Sequence, residues 1–197
     1  MFICDYVDVM EQVLTLVCKL NPSQKQAEEI ESVLTAFANA CNYANQKVKP
    51  QITSKTTIQN MVYNEIRALF GLSANLAVRA CARVGANRKT AKLKHKPVKT
   101  FKPTSVDYDA RIFSFREKDW TVSLTLLNGR EHIKIDAGNY QRGKLKGRKP
   151  TSARLCKHRD GNYYIHIQIK DEASEPIKSN HVIGVDFGRR DIVRFVD

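Results

Sequence analysis

The fold is decided where the chain runs QVLTLVCKLNPSQKQ, residues 12–26. Apolar and polar residues alternate well enough from Gln12 to Lys19 to predict a strand, and Asn21-Pro22 predicts a turn. The next four residues, Ser23-Gln24-Lys25-Gln26, have the form of a capping box, in which a serine begins a helix and a glutamine three residues later completes the cap. An early strand is therefore predicted to lead directly into a helix.

Three helices are predicted to follow this turn. Apolar residues recur at steps of three or four over residues 27–48, which predicts an amphipathic helix of about 24 residues that Pro50 ends. Residues 56–70 repeat the pattern, and Gly71 is a natural C-cap. A third helix begins at Ser73, and its remaining positions turn basic. A helical block therefore separates the first strand from the rest of the chain.

The hydrophobic period changes to two after Lys102-Pro103, which indicates strands. The dipeptides Asn128-Gly129 and Asp160-Gly161 each predict a hairpin between two of these strands. A small all-β unit has to close or pack to hide its edges, so the order of elements predicts an α+β fold in which a helical block interrupts a β-barrel. The predicted strands cover residues 112–115, 120–126, 132–135, 153–156 and 163–169.

Composition restricts the partners of the chain. The formal net charge of +13 favours polyanions, and 42% hydrophobic residues are enough for a packed core. No apolar run of about 18 residues is present, so we expect no membrane partner. The five cysteines are scattered without a CxxC pair, which predicts neither a disulfide framework nor a zinc site. No basic secretory signal precedes Asp5, so we expect a cytoplasmic protein whose thiols are reduced.

Two stretches contain basic residues and no acidic ones, residues 67–106 and 141–159. Such a stretch can be a solvated face, but mixed charges would serve solubility with less self-repulsion. Lys and Arg bind phosphates, and neighbouring aromatics can stack on bases, so we expect single-stranded or A-form nucleic acid as partner. The candidate contacts are Arg79, Arg83, Arg88, Lys89 and Lys92 in the first stretch and Arg142, Lys144, Lys146, Arg148 and Lys149 in the second.

The last predicted strand runs HVIGVDFG, residues 181–188, and carries Asp186 between apolar residues. An ionised carboxylate in such a setting needs a partner, and Mg²⁺ is one that also binds phosphate oxygens. Ribonuclease H-like nucleases and actin-like ATPases both carry this pattern, and an aspartate can also simply cap a strand end. The two basic stretches favour a nuclease over an ATPase.

Several stretches together resemble the N-terminal half of TnpB (OrfB), the transposon-encoded RNA-guided DNA endonuclease family related to type V CRISPR effectors. The resemblance extends from about Gln12 to Ile192 and depends on the order and spacing of the stretches. The matching stretches are residues 20–23, FANACNYAN at 37–45, FKPTSVDYDAR at 101–111, Gly129-Arg130, GNYQ at 138–141 and GVDFG at 184–188.

The resemblance implies an oligonucleotide-binding-like wedge barrel interrupted by a helical recognition block, then the first strand of a RuvC/ribonuclease H-like domain. It implies guide RNA and double-stranded target DNA as partners, with base pairing supplying most of the sequence specificity. Asp186 matches the first acidic residue of a Mg²⁺-dependent RuvC site, and Asn42, Tyr43, Lys55 and Gln59 are candidates for reading the motif beside the target. The implied segments are residues 1–20, 21–100, 101–172, a linker at 173–180 and the RuvC start at 181–197.

The sequence departs from the family pattern after Gly188, and it ends at Asp197 before the second and third carboxylates and the zinc ribbon. A two-metal site needs more than one carboxylate, so we expect this polypeptide alone to be inactive as a nuclease. Two alternatives stay open. In the first alternative, the chain is a stand-alone RNA- or DNA-binding regulator. In the second, it is a fragment of another ribonuclease H-like or actin-like protein.

Overall fold

A computed structural model describes residues 11–93, 95–98, 100–172, 184–186 and 194–196, the last two segments and Glu172 as backbone only. The main compact unit spans Val13–Lys170, and a second unit contains the last two strands. The elements in chain order are β1 (Glu11–Asn21), α1 (Gln24–Lys47), α2 (Lys55–Phe70), α3 (Ala74–Leu93), β2 (Ser105–Asp109), β3 (Phe113–Arg116), β4 (Thr121–Thr125), β5 (Arg130–Asp136), α4 (Asn139–Leu145), β6 (Ser152–Lys157), β7 (Tyr163–Glu172), β8 (Gly184–Asp186) and β9 (Arg194–Val196).

The predicted change from strand to helix at residues 12–26 is confirmed. The Ser23 side chain accepts a hydrogen bond from the Gln26 backbone N–H, and the Gln26 side chain accepts one from the Ser23 backbone N–H. This reciprocal cap begins α1, which has the predicted 24 residues. The predicted C-cap of α2 is confirmed too, because Gly71 has a φ of 63°, in the left-handed region that glycine adopts without strain.

Strands β1–β7 form one curled sheet in the order β2-β6-β7-β1-β5-β4-β3. The two edge strands, β2 and β3, are joined by only three residues, 110–112. Three residues cannot span a flat seven-stranded sheet, so its edges must curl towards each other. The Tyr108 hydroxyl on β2 donates to the Thr125 carbonyl at the end of β4, 3.2 Å away, across that junction. The predicted α+β class with a barrel-like sheet is confirmed at this level.

The helices α1, α2 and α3 bury their apolar faces together. Ile30, Leu34, Phe37 and Cys41 of α1 are fully buried. A side chain at Gly85 of α3 would come within 2.8 Å of the backbone between α1 and α2, so only glycine permits this close packing. Three cysteines predicted to be buried, Cys18, Cys41 and Cys81, are buried.

Strand β2 and helix α4 are among the elements that were not predicted from the sequence. Strand β2 alternates Val106 and Tyr108 inwards with Asp107 and Asp109 outwards, and aspartate is rare in strands. Helix α4 covers only seven residues, its N-cap Gly138 makes no side-chain cap, and its sequence was assigned only to a basic stretch. Both elements lie at the ends of the two basic stretches, so they decide how those stretches are used.

Candidate nucleic-acid interface

Two arginines of the first basic stretch bind acidic residues inside the fold. Arg79 pairs with Asp109 of β2 at 2.7 Å, and Arg83 pairs with Asp107 at 2.7 Å. The Arg83 guanidinium also lies 4.7 Å from the centre of the Phe37 ring. Burial alone raises the pKa of Asp107, but the hydrogen bonds and charge of Arg83 outweigh it and lower that pKa below its ordinary value. These arginines connect α3 to the sheet.

Arg88 is a structural residue of this fold. Its side chain is 4% exposed, and its five N–H donors make five hydrogen bonds of 2.7–3.0 Å to Asn45, Val48, Lys49 and Ile52. Four of the acceptors are backbone carbonyls at and beyond the end of α1, where no continuing helix supplies donors, and of these the Lys49 carbonyl also accepts the Ile52 N–H. No donor remains for a phosphate. The predicted phosphate contact is therefore removed from the candidate interface.

The two lysines predicted on α3, Lys89 and Lys92, are exposed. Lys92 and Lys96 line a cavity of about 370 Å³ between the end of α3 and the α1–α2 connection. The phosphate contacts of Lys89 and Lys92 stay predictions.

The four residues predicted to read a flanking motif are divided between α1 and α2. Asn42 exchanges two hydrogen bonds with the Phe101 backbone, at 2.8 and 2.9 Å, and thereby ties α1 to the segment before β2. The Tyr43 hydroxyl donates to the Glu65 carboxylate of α2. Lys55 is exposed at the start of α2, and Gln59 is half-buried one turn later. Asn42 therefore has a structural role, and the motif-reading role of all four stays a prediction.

The second basic stretch lies on α4 and the segment that follows it. The Arg142 guanidinium lies 4.7 Å from the centre of the Trp120 ring, and its Nε donates to the Ala137 carbonyl. Lys144 is half-buried, while Lys146 and Lys149 are exposed. Arg148 donates to the Lys170 backbone carbonyl of β7. In the same segment the Gly147 backbone N–H donates to the Glu117 carboxylate at 2.8 Å.

Arg148, Lys149 and Lys170 line a groove of about 450 Å³. Its floor includes the apolar side chains of Val13 and Pro150. Val13 is 63% exposed. The groove therefore offers cationic groups for a charged backbone beside apolar surface for uncharged groups.

The groove continues into the outer face of β6, β7 and β1. Alternation along β7 buries Ile165, Ile167 and Ile169 and turns Tyr164, His166, Gln168 and Lys170 outwards. Cross-strand partners on β6 extend the same face: Ser152 lies opposite Gln168, and Arg154 lies opposite His166. From His166 to Lys170 the face spans about 13 Å along the strand, the length of two to three nucleotides.

The far end of this face carries aromatic rings. The His158 ring stacks on the Tyr164 ring, with centroids 4.0 Å apart and planes 22° from parallel. His158 Nε2 lies 3.2 Å from His166 Nε2. Burial, together with the charges of His158 and Arg154, lowers the pKa of His166. These rings were not predicted from the sequence. The alternation of Tyr164 and His166 after the Asp160-Gly161 turn does indicate that both lie on one face of the strand.

Asp186, the predicted catalytic and Mg²⁺-binding residue, lies in strand β8, opposite Arg194 of β9. Its side chain lies outside the described residues. No group of three or more His, Cys, Asp or Glu side chains that could hold a metal occurs in residues 11–93, 95–98 and 100–172. One carboxylate offers fewer ligands than a two-metal nuclease site requires, so the Mg²⁺ site stays a prediction.

None of the helices in the described part combines the length and the apolar composition that crossing a bilayer requires. Comparison with known proteins gives no family by which to assign the site. Neither a protein-family model nor a curated protein matches this sequence.

Proposed function

We propose that this chain binds single-stranded or A-form nucleic acid on the outer face of β6, β7 and β1, and that its preferred ligand is RNA. The observation that carries the proposal is the groove between Arg148, Lys149 and Lys170, which continues into a face that ends in the stacked rings of His158 and Tyr164. Cationic groups that follow a backbone beside rings that stack on bases are the two components of sequence-tolerant single-strand binding.

Charge supports this face over the outer surface of α3. Residues 141–159 contain eight Lys and Arg and no acidic residue. In the described contacts of α3, by comparison, Arg79 and Arg83 are paired with aspartates and Arg88 is buried. Two cations of residues 141–159 are paired as well, Arg154 with Asp107 and Lys157 with Glu31, but Lys146 and Lys149 are exposed, and exposed cations release counterions when they bind phosphate.

We further propose that the chain is the nucleic-acid-binding part of a TnpB-type RNA-guided DNA endonuclease. The support is the sequence resemblance and an α+β fold in which helices α1–α3 follow the first strand of a curled sheet and precede the other strands. In this proposal the sheet and α4 hold a guide RNA, the helical block contacts double-stranded DNA, and Asp186 belongs to a Mg²⁺-dependent RuvC site.

A second candidate function is a self-contained RNA-binding regulator. The main unit Val13–Lys170 contains the groove and the stacked rings without β8. A unit of this kind binds nucleic acid with no need for a nuclease domain. The two candidates differ in the RNA that they retain.

The test is to purify the chain from cells that carry its native locus, wash it at high salt and sequence the bound RNA. A single RNA transcribed beside the gene supports the RNA-guided proposal. A set of unrelated messenger RNAs that share a site supports the regulator. The absence of any salt-resistant RNA would contradict specific RNA binding altogether.

The location of the interface is tested with a matched pair of charge reversals, Lys149→Glu and Lys25→Glu. Both lysines are exposed and both substitutions change the net charge equally. Lys149 lines the groove, so its reversal should weaken RNA binding about tenfold. It should also make the negative slope of log K against log salt shallower by about 0.7, the value of one phosphate contact. Lys25, on α1, should change both quantities little. Equal effects of the two reversals would contradict binding in the groove.

A further inference from the structure

A pair of histidines lies at the turn between β6 and β7. His158 directly follows β6, and His166 faces outwards from β7. Their Nε2 atoms are 3.2 Å apart, and the two rings are perpendicular. The turn is held by the His158 backbone N–H, which donates to the Asn162 carbonyl at 3.0 Å, and by the Gly161 N–H, which donates to the His158 carbonyl at 3.1 Å.

The separation of the two nitrogens suits a shared metal ion. Zinc binds imidazole nitrogen at about 2.0–2.1 Å, and an ion at that distance from both Nε2 atoms would form an N–Zn–N angle of about 100°. The tetrahedral angle is about 109°, so the separation of the two nitrogens is close to that of two ligands in a tetrahedral site. Imidazole is also a ligand that copper and nickel accept.

The charges around the pair are mixed. The Asp160 carboxylate, two residues from His158, accepts hydrogen bonds of 2.9 Å from Asn162 and from the Tyr164 hydroxyl. It supplies negative charge beside His158. Arg154, opposite His166, opposes a cation, but its Nε donates to the Asp107 carboxylate at 2.7 Å.

The cysteine thiols in the described part are poorer metal ligands, because they are buried. Burial raises the pKa of Cys18 and Cys81 to about 11 and that of Cys41 to about 12, so these thiols stay protonated at neutral pH. Burial also raises the pKa of the Cys156 thiol. A neutral imidazole needs no such deprotonation above its ordinary pKa of about 6.5. The histidine pair is therefore the better ligand among these groups.

We propose that His158 and His166 together bind one divalent transition-metal ion, of which Zn²⁺ is the probe, through their Nε2 atoms. In the described part no third His, Cys, Asp or Glu joins them, so water fills the other positions. The ion links the end of β6 to β7 and stabilises the hairpin. This inference does not depend on the proposed function.

The experiment is a calorimetric titration of the full chain with Zn²⁺, in wild type and in His158→Gln, His166→Gln and His132→Gln. His132 is an exposed histidine on β5 and serves as the matched control. We expect each substitution in the pair to weaken binding at least tenfold, since loss of even an outer-shell partner costs about 10–100-fold. His132→Gln should bind as wild type does. Binding should also weaken at acid pH, because protonated imidazole cannot bind a metal.

A second measurement does not depend on any variant. Electron paramagnetic resonance of the wild-type chain with one equivalent of Cu²⁺ should show two imidazole nitrogens on the ion. Spectra with a single nitrogen would overturn the proposal. So would a titration in which His158→Gln and His166→Gln bind Zn²⁺ as tightly as His132→Gln.

Discussion

Arg88 makes a sharp test of the difference between a structural and a binding arginine. Its guanidinium bonds to the backbone or side chain of Asn45, Val48, Lys49 and Ile52, and all five of its donors are used. Burial lowers the pKa of Arg88, but the group stays charged. Arg88→Ala would leave four backbone carbonyls at the end of α1 without these donors.

The expected cost follows from these bonds. Each hydrogen bond from a charged donor contributes about 1.5–3 kcal/mol, but five bonds from one group do not add. Water can enter the space that the side chain leaves and hydrate some of the carbonyls. We therefore expect Arg88→Ala to lower the free energy of unfolding by about 3–5 kcal/mol, well below the simple sum of five such bonds. Domains of this kind are stable by about 5–15 kcal/mol in total.

The assay is urea unfolding followed by the helical circular dichroism signal, with Lys89→Ala as the neighbouring exposed control. The control should change the unfolding free energy by no more than about 0.5 kcal/mol. Arg88→Lys should fall between the two, because an ammonium has three donors where the guanidinium has five. If Arg88→Ala and Lys89→Ala differed by less than 1 kcal/mol, the argument that Arg88 holds the end of α1 would be refuted.

Three further predictions concern the main unit. Asp107→Asn should destabilise the protein by about 2–3 kcal/mol at pH 7. This difference should shrink as the pH falls below about 4, because a carboxyl with a lowered pKa stabilises the fold only while it is ionised. Urea unfolding at several pH values measures the difference. Gly85→Ala should lower the melting temperature, since its Cβ would meet the Thr53 carbonyl at 2.8 Å, whereas Gly143→Ala in open space should not. Ser23→Ala should cost about 1 kcal/mol in the same unfolding assay, through loss of the α1 cap.

Local chemistry explains why so much of the fold could be predicted. The capping box at Ser23, the left-handed Gly71 and the two hairpin dipeptides each act within a few residues, so their effect is visible in sequence. Strand β2 is stabilised by partners far away in sequence. Asp107 and Asp109 are tolerated there because α3 supplies their arginines. No local pattern contains that information.

The candidate interface shows the same limit. The first acid-free stretch ends at Val106, and the next acidic residues, Asp107 and Asp109, are those that pair with Arg83 and Arg79. Absence of acidic residues along a stretch therefore did not mean absence of acidic residues around it. In the second stretch Lys146 and Lys149 are exposed, as a phosphate-binding role requires. Tyr164 and the histidine pair were missed because their stacking depends on the register between β6 and β7.

The position of β1 has a consequence for synthesis on the ribosome. Among the described elements this strand is the first to be made, yet in the sheet it lies between β5 and β7. Its second partner is complete only about 150 residues later, which at typical translation rates is roughly 8–30 s. Helices α1–α3 can form among themselves during that time, because their contacts are local. The nascent chain therefore carries an apolar strand without partners while it grows, and proteins that shield such strands are expected to act on it before release.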